Sequence, residues 1–318
     1  MNGSDVNCTD SLPDEALTGS PAPDLLPAID FHTHTFPDAI AGPTLEKMSR
    51  AGGLLYHTAG TEAALAASMR QAGVVCSVVL PVVTNPAKAA HINDYSAAND
   101  RGGIVHFGGV HPDTPDAEKE IRRIARLGLR GVKLHPVYQR VDFDDPRYLR
   151  ILYAAAENGL TVVTHAGWDV GFPGVGHATA DKIESALRQV GNVRLVLAHM
   201  GAWRQWEQAE KLAAFKNVYI DTAFSLGEMT VRPDCTKPEE FRRLAAPDDF
   251  VRIIRAFGAG RVLFGTDSPW CSQASERAKI EALPLLVEEK RMILYENAKK
   301  LLNTETGGSP QWNTVIRS

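Results

Sequence analysis

Cysteine is scarce in this chain of 318 residues, with only Cys8, Cys76, Cys235 and Cys271. None is close to another in sequence, so neither a disulfide framework nor a thiolate zinc site is readable, and a reducing cytoplasm is the expected compartment. Long apolar runs are missing too. The longest uncharged stretch, residues 71–87, is interrupted by Pro81 and Pro86 and falls short of the roughly 18–20 apolar residues a membrane helix needs. No membrane partner is expected. Nor is there an excess of positive charge: 34 Lys plus Arg against 38 Asp plus Glu leave a net charge of −4, which argues against a dedicated nucleic-acid binder. Residues 1–27 carry four prolines and several acidic residues, with no basic start and no apolar core. That excludes a signal peptide from this stretch and reads as a flexible arm.

What is present is a regular alternation of short β-branched runs with helical stretches. The runs are residues 28–31, 74–80, 104–109, 131–134, 161–164, 193–198, 218–221 and 262–265. Helical periodicity fills the gaps at 62–71, 86–100, 116–127, 146–158, 179–189, 203–215 and 247–257. Runs that are apolar nearly throughout suit strands covered on both faces, as in a parallel sheet. Eight strands alternating with helices give an α/β (β/α)8 TIM barrel as a single domain. An open doubly wound sheet is the rival, weakened because no Gly-x-Gly-x-x-Gly turn follows the first strand. The barrel is expected over 28–302, with C-terminal helices at 275–283 and 288–302, and a frayed tail over 303–318. Long inserts at 37–60 and 223–246 follow strands 1 and 7, where such a barrel keeps its active site, and are candidate lids.

Histidine is the informative residue, with ten in the chain. Strand 1 ends Asp30-Phe31-His32-Thr33-His34; residues two apart in extended backbone share a face, so both rings can enter the barrel mouth. An isolated pair carries little weight, but the other strand ends add to it. Strand 4 ends Lys133-Leu134-His135-Pro136, strand 5 Thr164-His165-Ala166-Gly167, strand 6 Ala198-His199-Met200-Gly201, and strand 8 Gly265-Thr266-Asp267-Ser268-Pro269-Trp270. Strand ends converge on the axis of a barrel, so five histidines and a carboxylate would meet there. Imidazole and carboxylate together suit zinc or a neighbouring divalent ion.

These phrases, with the closing Tyr295-Glu296-Asn297-Ala298 stretch, resemble the amidohydrolase superfamily over nearly the whole chain. More narrowly they resemble the amidohydrolase-related branch that includes aminocarboxymuconate-semialdehyde decarboxylase. The resemblance implies that His32, His34, His165 and Asp267 bind one divalent metal ion, zinc first, with manganese, cobalt or iron as alternatives. It implies that His199 is catalytic and orients or deprotonates water or polarises the substrate, with Asp267 shuttling the proton. Lys133 has two readings: an ammonium ion meeting a substrate anion, or a carboxylated bridge to a second metal as in binuclear members. His135 either contacts substrate or only ends its strand before Pro136, and Trp168 and Trp270 either wall the substrate pocket or pack at the rim.

His111 is expected to be structural and His106 a satisfied core residue, while His57, His91 and His177 have no motif support. Cys271 reads as a small apolar residue. Arg140, Arg204 and Arg232 are loop candidates for a substrate carboxylate, each read first as a solvated surface charge. The reaction expected is metal-dependent hydrolysis of a small amide, ester or lactone; the alternative is non-oxidative decarboxylation by a carboxy-lyase using the same ligands. A catalytically silent scaffold is disfavoured, because a buried cluster of metal-binding groups is costly to keep unpaired. A small-molecule substrate is the expected partner, with a homodimer as the assembly to test.

Overall fold

The computed structural model describes residues 26–303. The arm expected over 1–27 and the tail over 303–318, with Cys8, lie outside the described residues except at their inner edges. Parallel strands run β1 (Ala28–Thr33), β2 (Val74–Val79), β3 (Ile104–His106), β4 (Gly108–Gly109), β5 (Gly131–Leu134), β6 (Thr161–Thr164), β7 (Leu195–Leu197), β8 (Val218–Asp221) and β9 (Val262–Leu263). Pairing follows β1-β2-β3 and β4-β5-β6-β7-β8-β9.

Nine segments make eight staves, because β3 and β4 are one stave interrupted at Phe107. The Phe107 N–H still donates to the Val79 carbonyl at 3.0 Å, so the neighbour is not lost. Closure comes at the other seam, where Phe31 N–H donates to the Phe264 carbonyl at 2.8 Å and Asp267 N–H to that of His32 at 2.8 Å. The result is a closed parallel (β/α)8 barrel, as the alternation predicts. Its strands are short and buried on both faces: Phe31, Val78, Phe107, Val163, Val196 and Leu263 share one apolar cluster, while Val132, Leu134, Val162 and Leu195 join the helices in another.

The helices are α1 (Asp38–Gly52), α2 (Glu62–Ala72), α3 (Ala89–Asn99), α4 (Ala117–Arg126), α5 (Pro136–Gln139), α6 (Pro146–Glu157), α7 (Ala180–Val190), α8 (Pro247–Phe257), α9 (Gln273–Ala282), α10 (Val287–Arg291) and α11 (Asn297–Asn303). Side-chain caps explain several starts: Thr61, Asp145, Thr179 and Ser272 each accept a hydrogen bond from a backbone N–H in the first turn. Three readings from sequence need correction. The insert after strand 1 contains a fifteen-residue helix, α1, despite Pro43 inside it. The stretch expected as a helix over 203–215 is a 3-10 segment, Trp206–Ala214. The last expected helix is broken by a π turn at Met292–Glu296, because the Ile293 carbonyl is given to Phe264 N–H of the barrel at 2.9 Å.

Candidate active site

The mouth of the barrel is built from strand ends. His32 lies at the end of β1 and is fully buried; His34 follows it, and its Nε2 stands 3.0 Å from Asp267 Oδ1 beyond β9. His32 Nε2 lies 3.5 Å from the same oxygen. Lys133, on β5 and only 1% exposed, brings its ammonium to 3.1 Å from His32 Nε2. Burial lowers that ammonium to about 8, and Asp221, Asp267 and Asp169 oppose the shift.

Each histidine is anchored through one nitrogen. Nδ1–H of His34 donates to the Leu80 carbonyl at 2.8 Å, that of His32 to Asp221 Oδ2 at 2.8 Å, and that of His199 to the Ala223 carbonyl at 3.0 Å. His165 donates from Nε2 to the Trp168 carbonyl at 2.7 Å. A neutral imidazole has one N–H, so the other nitrogen of each ring bears a lone pair. Two of those lone pairs face electron-rich atoms: His34 Nε2 faces Asp267, and His165 Nδ1 faces His199 Nε2 at 3.1 Å. Such contacts repel unless a proton or a cation lies between them. Rings fixed by carbonyls and a carboxylate behind, with lone pairs converging in front, form a donor set that fits a divalent metal ion.

Among the described residues, three trios of potential ligand atoms fall within 4.8 Å of one another: His32–His34–Asp267, His32–His199–Asp221 and His135–His165–Asp169. Of the residues expected from sequence, His32, His34 and Asp267 come directly together, and His165 joins them only through His199. Burial pushes His199 down to about 4 and His32 and His165 well below the usual imidazole range, so these rings stay neutral. Burial alone would raise Asp267, but a proton on His34 Nε2, which gives that ring a second N–H and a bond to the carboxylate, outweighs burial and holds Asp267 well below the carboxylate range. His199, Met200 and Asp267 have φ of 60, 57 and 64°. Left-handed backbone at non-glycine residues costs on the order of 1 kcal/mol each and concentrates at functional sites.

Asp221 was not among the residues singled out by sequence. It ends β8 and is fully buried; Oδ1 accepts the backbone N–H of His199 at 2.8 Å and of Ala223 at 3.1 Å, while Oδ2 takes His32. Its place at a strand end beside Thr222 was the available signal. His135 stacks between Tyr138 and His165, with ring centroids 4.0 and 4.3 Å apart. Trp168 and Trp270 join Leu54, Trp203, Phe224 and Cys271 in an apolar cluster above the barrel. Cys271 is buried there, its thiol pushed far up by burial.

Two arginines depart from expectation. Arg204 is half-buried rather than a free surface charge and lies against the rings of Trp203 and Phe241, 4.9 and 5.2 Å from their centroids. Arg232 is tied to Glu46, Ser49 and Asp234, which joins the two inserts. Lys237 reinforces that joint by donating to the carbonyls of Gly52 at 2.9 Å and Val170 at 3.0 Å. His106, expected to be satisfied, has no hydrogen-bond partner for its buried Nε2; Glu62 is 3.3 Å away without bonding geometry.

The family model described as amidohydrolase matches residues 29–304. The chain belongs to the amidohydrolase family. No curated protein sequence matches this amidohydrolase. Among solved structures, an uncharacterised TIM-barrel protein from Bordetella bronchiseptica is similar with a TM-score of 0.68 and 20% identity, over 87% of this chain and 98% of that one. A 5-carboxyvanillate decarboxylase from Novosphingobium aromaticivorans, solved with manganese and 4-hydroxy-3-methoxy-5-nitrobenzoic acid, gives 0.61 and 16%, over 87% and 96%. A putative 2-pyrone-4,6-dicarboxylic acid hydrolase from Pseudomonas putida gives 0.57 and 17%, over 87% and 98%. These likenesses extend the shared barrel. Among the described residues no helix is long and apolar enough to cross a membrane.

Proposed function

We propose that this amidohydrolase is a mononuclear metal-dependent hydrolase of a small amide, ester or lactone. The observation that carries the reading is the convergence of lone pairs from rings anchored behind by Leu80, Asp221, Ala223 and Trp168. His32, His34, His165 and Asp267 would hold one divalent ion, zinc first, with manganese, cobalt and iron as the other candidates. When bound, such an ion acidifies water towards neutrality and polarises a carbonyl oxygen.

The chain's own residues supply the rest. His199 is neutral, its backbone and Nδ1 both held, so Nε2 is placed to take a proton from the attacking water. Asp267, kept ionised, is the proton shuttle to the leaving group if it also touches that water. Lys133 and His135 bind the polar part of the substrate, while Trp168 and Trp270 wall it. The second reading, a carboxy-lyase, is favoured by the buried Lys133 ammonium, which complements a carboxylate; Asp267 or His199 then protonates the carbon that loses CO2. A cytoplasmic setting agrees with the free Cys76, Cys235 and Cys271, and a homodimer is the assembly we expect.

The test is turnover of a panel of lactones, amides and aromatic carboxylates in 18O-labelled water, with metal analysis of the same preparation. Hydrolysis puts the label into the organic product without gas release; CO2 release with no label in the organic product overturns it in favour of the lyase. Protein prepared without chelator is expected to carry a stoichiometric divalent ion that His165→Ala and Asp267→Ala lose. Retention of metal by both variants overturns the ligand set.

A further inference from the structure

We propose that His135 and Asp169 form a second polar pole of the pocket, which binds a hydroxyl group of the substrate. The hydroxyl oxygen accepts from His135 Nε2–H, and its proton goes to a hydrogen bond with Asp169 Oδ2. The inference rests on reading the barrel mouth as an enzyme pocket and adds a group that the substrate must carry.

The tautomer of His135 follows from its position. The residue follows β5 and heads α5, where its Nδ1 accepts the backbone N–H of Tyr138 at 3.4 Å. A neutral ring then carries its proton on Nε2. Stacking between Tyr138 and His165, within 16° of parallel on both sides, fixes the ring plane. Asp169 has used one oxygen: Oδ1 accepts the Gly171 N–H at 2.8 Å. Its other oxygen, Oδ2, stands 3.7 Å from His135 Nε2, with the two side chains 8% and 7% exposed.

That separation decides the chemistry. At 3.7 Å donor and acceptor are too far apart to bond each other well, yet one oxygen atom can lie within bonding distance of both. A carboxylate or phosphate placed there would meet the Asp169 carboxylate, and an ammonium would meet a second donor. An ether oxygen can accept but has nothing to donate. A hydroxyl satisfies both groups, since it offers one acceptor and one donor.

A metal ion held by His135, His165 and Asp169 is the competing occupant. It is opposed by the proton inventory: His135 spends its lone pair on Tyr138 N–H, while His165 spends Nε2 on the Trp168 carbonyl and directs Nδ1 at His199. The His135 lone pair is thus engaged by Tyr138, and the lone pair of His165 is directed at His199 rather than shared with His135 and Asp169.

The experiment measures binding of the three isomeric hydroxybenzamides and hydroxybenzoates, each against its own methyl ether, to protein as purified. At least one hydroxy isomer is expected to bind about ten-fold or more tighter than its ether, the effect of a hydrogen bond to a charged group. In Asp169→Asn the amide keeps the bond from Gly171 but presents a donor where the hydroxyl needs an acceptor, so the ratio should fall to about one. The comparison within the wild type needs no variant. Absence of any hydroxyl preference overturns the proposal, as does a preference that survives in Asp169→Asn. Loss of bound metal from Asp169→Asn would make the trio a metal site and also overturn it. Failure of the metal-hydrolase reading is separate, since it is read in the metal content of the His165 and Asp267 variants.

Discussion

Asp221 shows how one carboxylate can set the chemistry of two histidines. By accepting from Nδ1 of His32 it forces the lone pair of that ring onto Nε2, and by accepting from the His199 backbone it fixes the loop that carries the proton acceptor. Asp221→Asn keeps an oxygen for the two backbone donors but turns an N–H towards His32, which reverses the tautomer of the ring. Metal affinity should fall roughly 10- to 100-fold, as when other outer-shell partners are removed, while the thermal midpoint of metal-free protein changes little. Competition with a chelating dye measures the first quantity; unchanged affinity would refute the tautomer argument. At this scale the histidines were legible in the sequence because they sit at strand ends in repeated phrases. Asp221 and Asp169 were not, because their significance lies in contacts made across the barrel: His32 is 189 positions from Asp221. Orientation of a ring by its second nitrogen leaves no trace in spacing.

Strands were more legible than helices, since a buried parallel strand is a short apolar run whatever its surroundings. Even there, the third stave divides where Phe107 needs room, and the room comes from the next strand. A Cβ on Gly131 would lie 2.3 Å from the Phe107 ring and 2.4 Å from the Thr161 carbonyl. Gly131→Ala should therefore cost about 3 kcal/mol or more, in the upper range of overpacking. Gly128→Ala is the useful comparison: its φ is +84° but nothing lies within 4 Å of a Cβ, so strain of about 1 kcal/mol is all it should lose. Denaturant midpoints of the two variants test the ranking, and equal losses would sink it. The helices departed from expectation for tertiary reasons. Pro43 marks a break by local rules yet lies inside α1, and the π turn exists because a barrel N–H claims the Ile293 carbonyl. Neither competitor is visible in the local periodicity.

Across the molecule, the eight-stave architecture and the convergence of strand-end residues were readable because both follow from repetition. How the inserts are joined was not, since it depends on bonds between distant loops. The buried histidines also give the whole fold a common response to acid. His106, lowered to about 4 by burial and by Arg101, has a folded value below the ordinary 6.5 of an unfolded chain. Between those values the unfolded state binds the proton and the folded state does not, so stability is complete above pH 6.5 and declines as pH falls towards 4. His106→Phe should remove on the order of 2–3 kcal/mol of that loss, measured by denaturant titration of metal-free protein at pH 7 and pH 4; an unchanged slope would assign the acid sensitivity elsewhere. Lys237, finally, binds carbonyls from the segment after the first stave and from the loop after the fifth, and itself belongs to the insert after the seventh. Three connections thus share one rivet, and none can swing aside alone. Any widening of the mouth there must break bonds to two connections at once, so its opening is expected to be concerted.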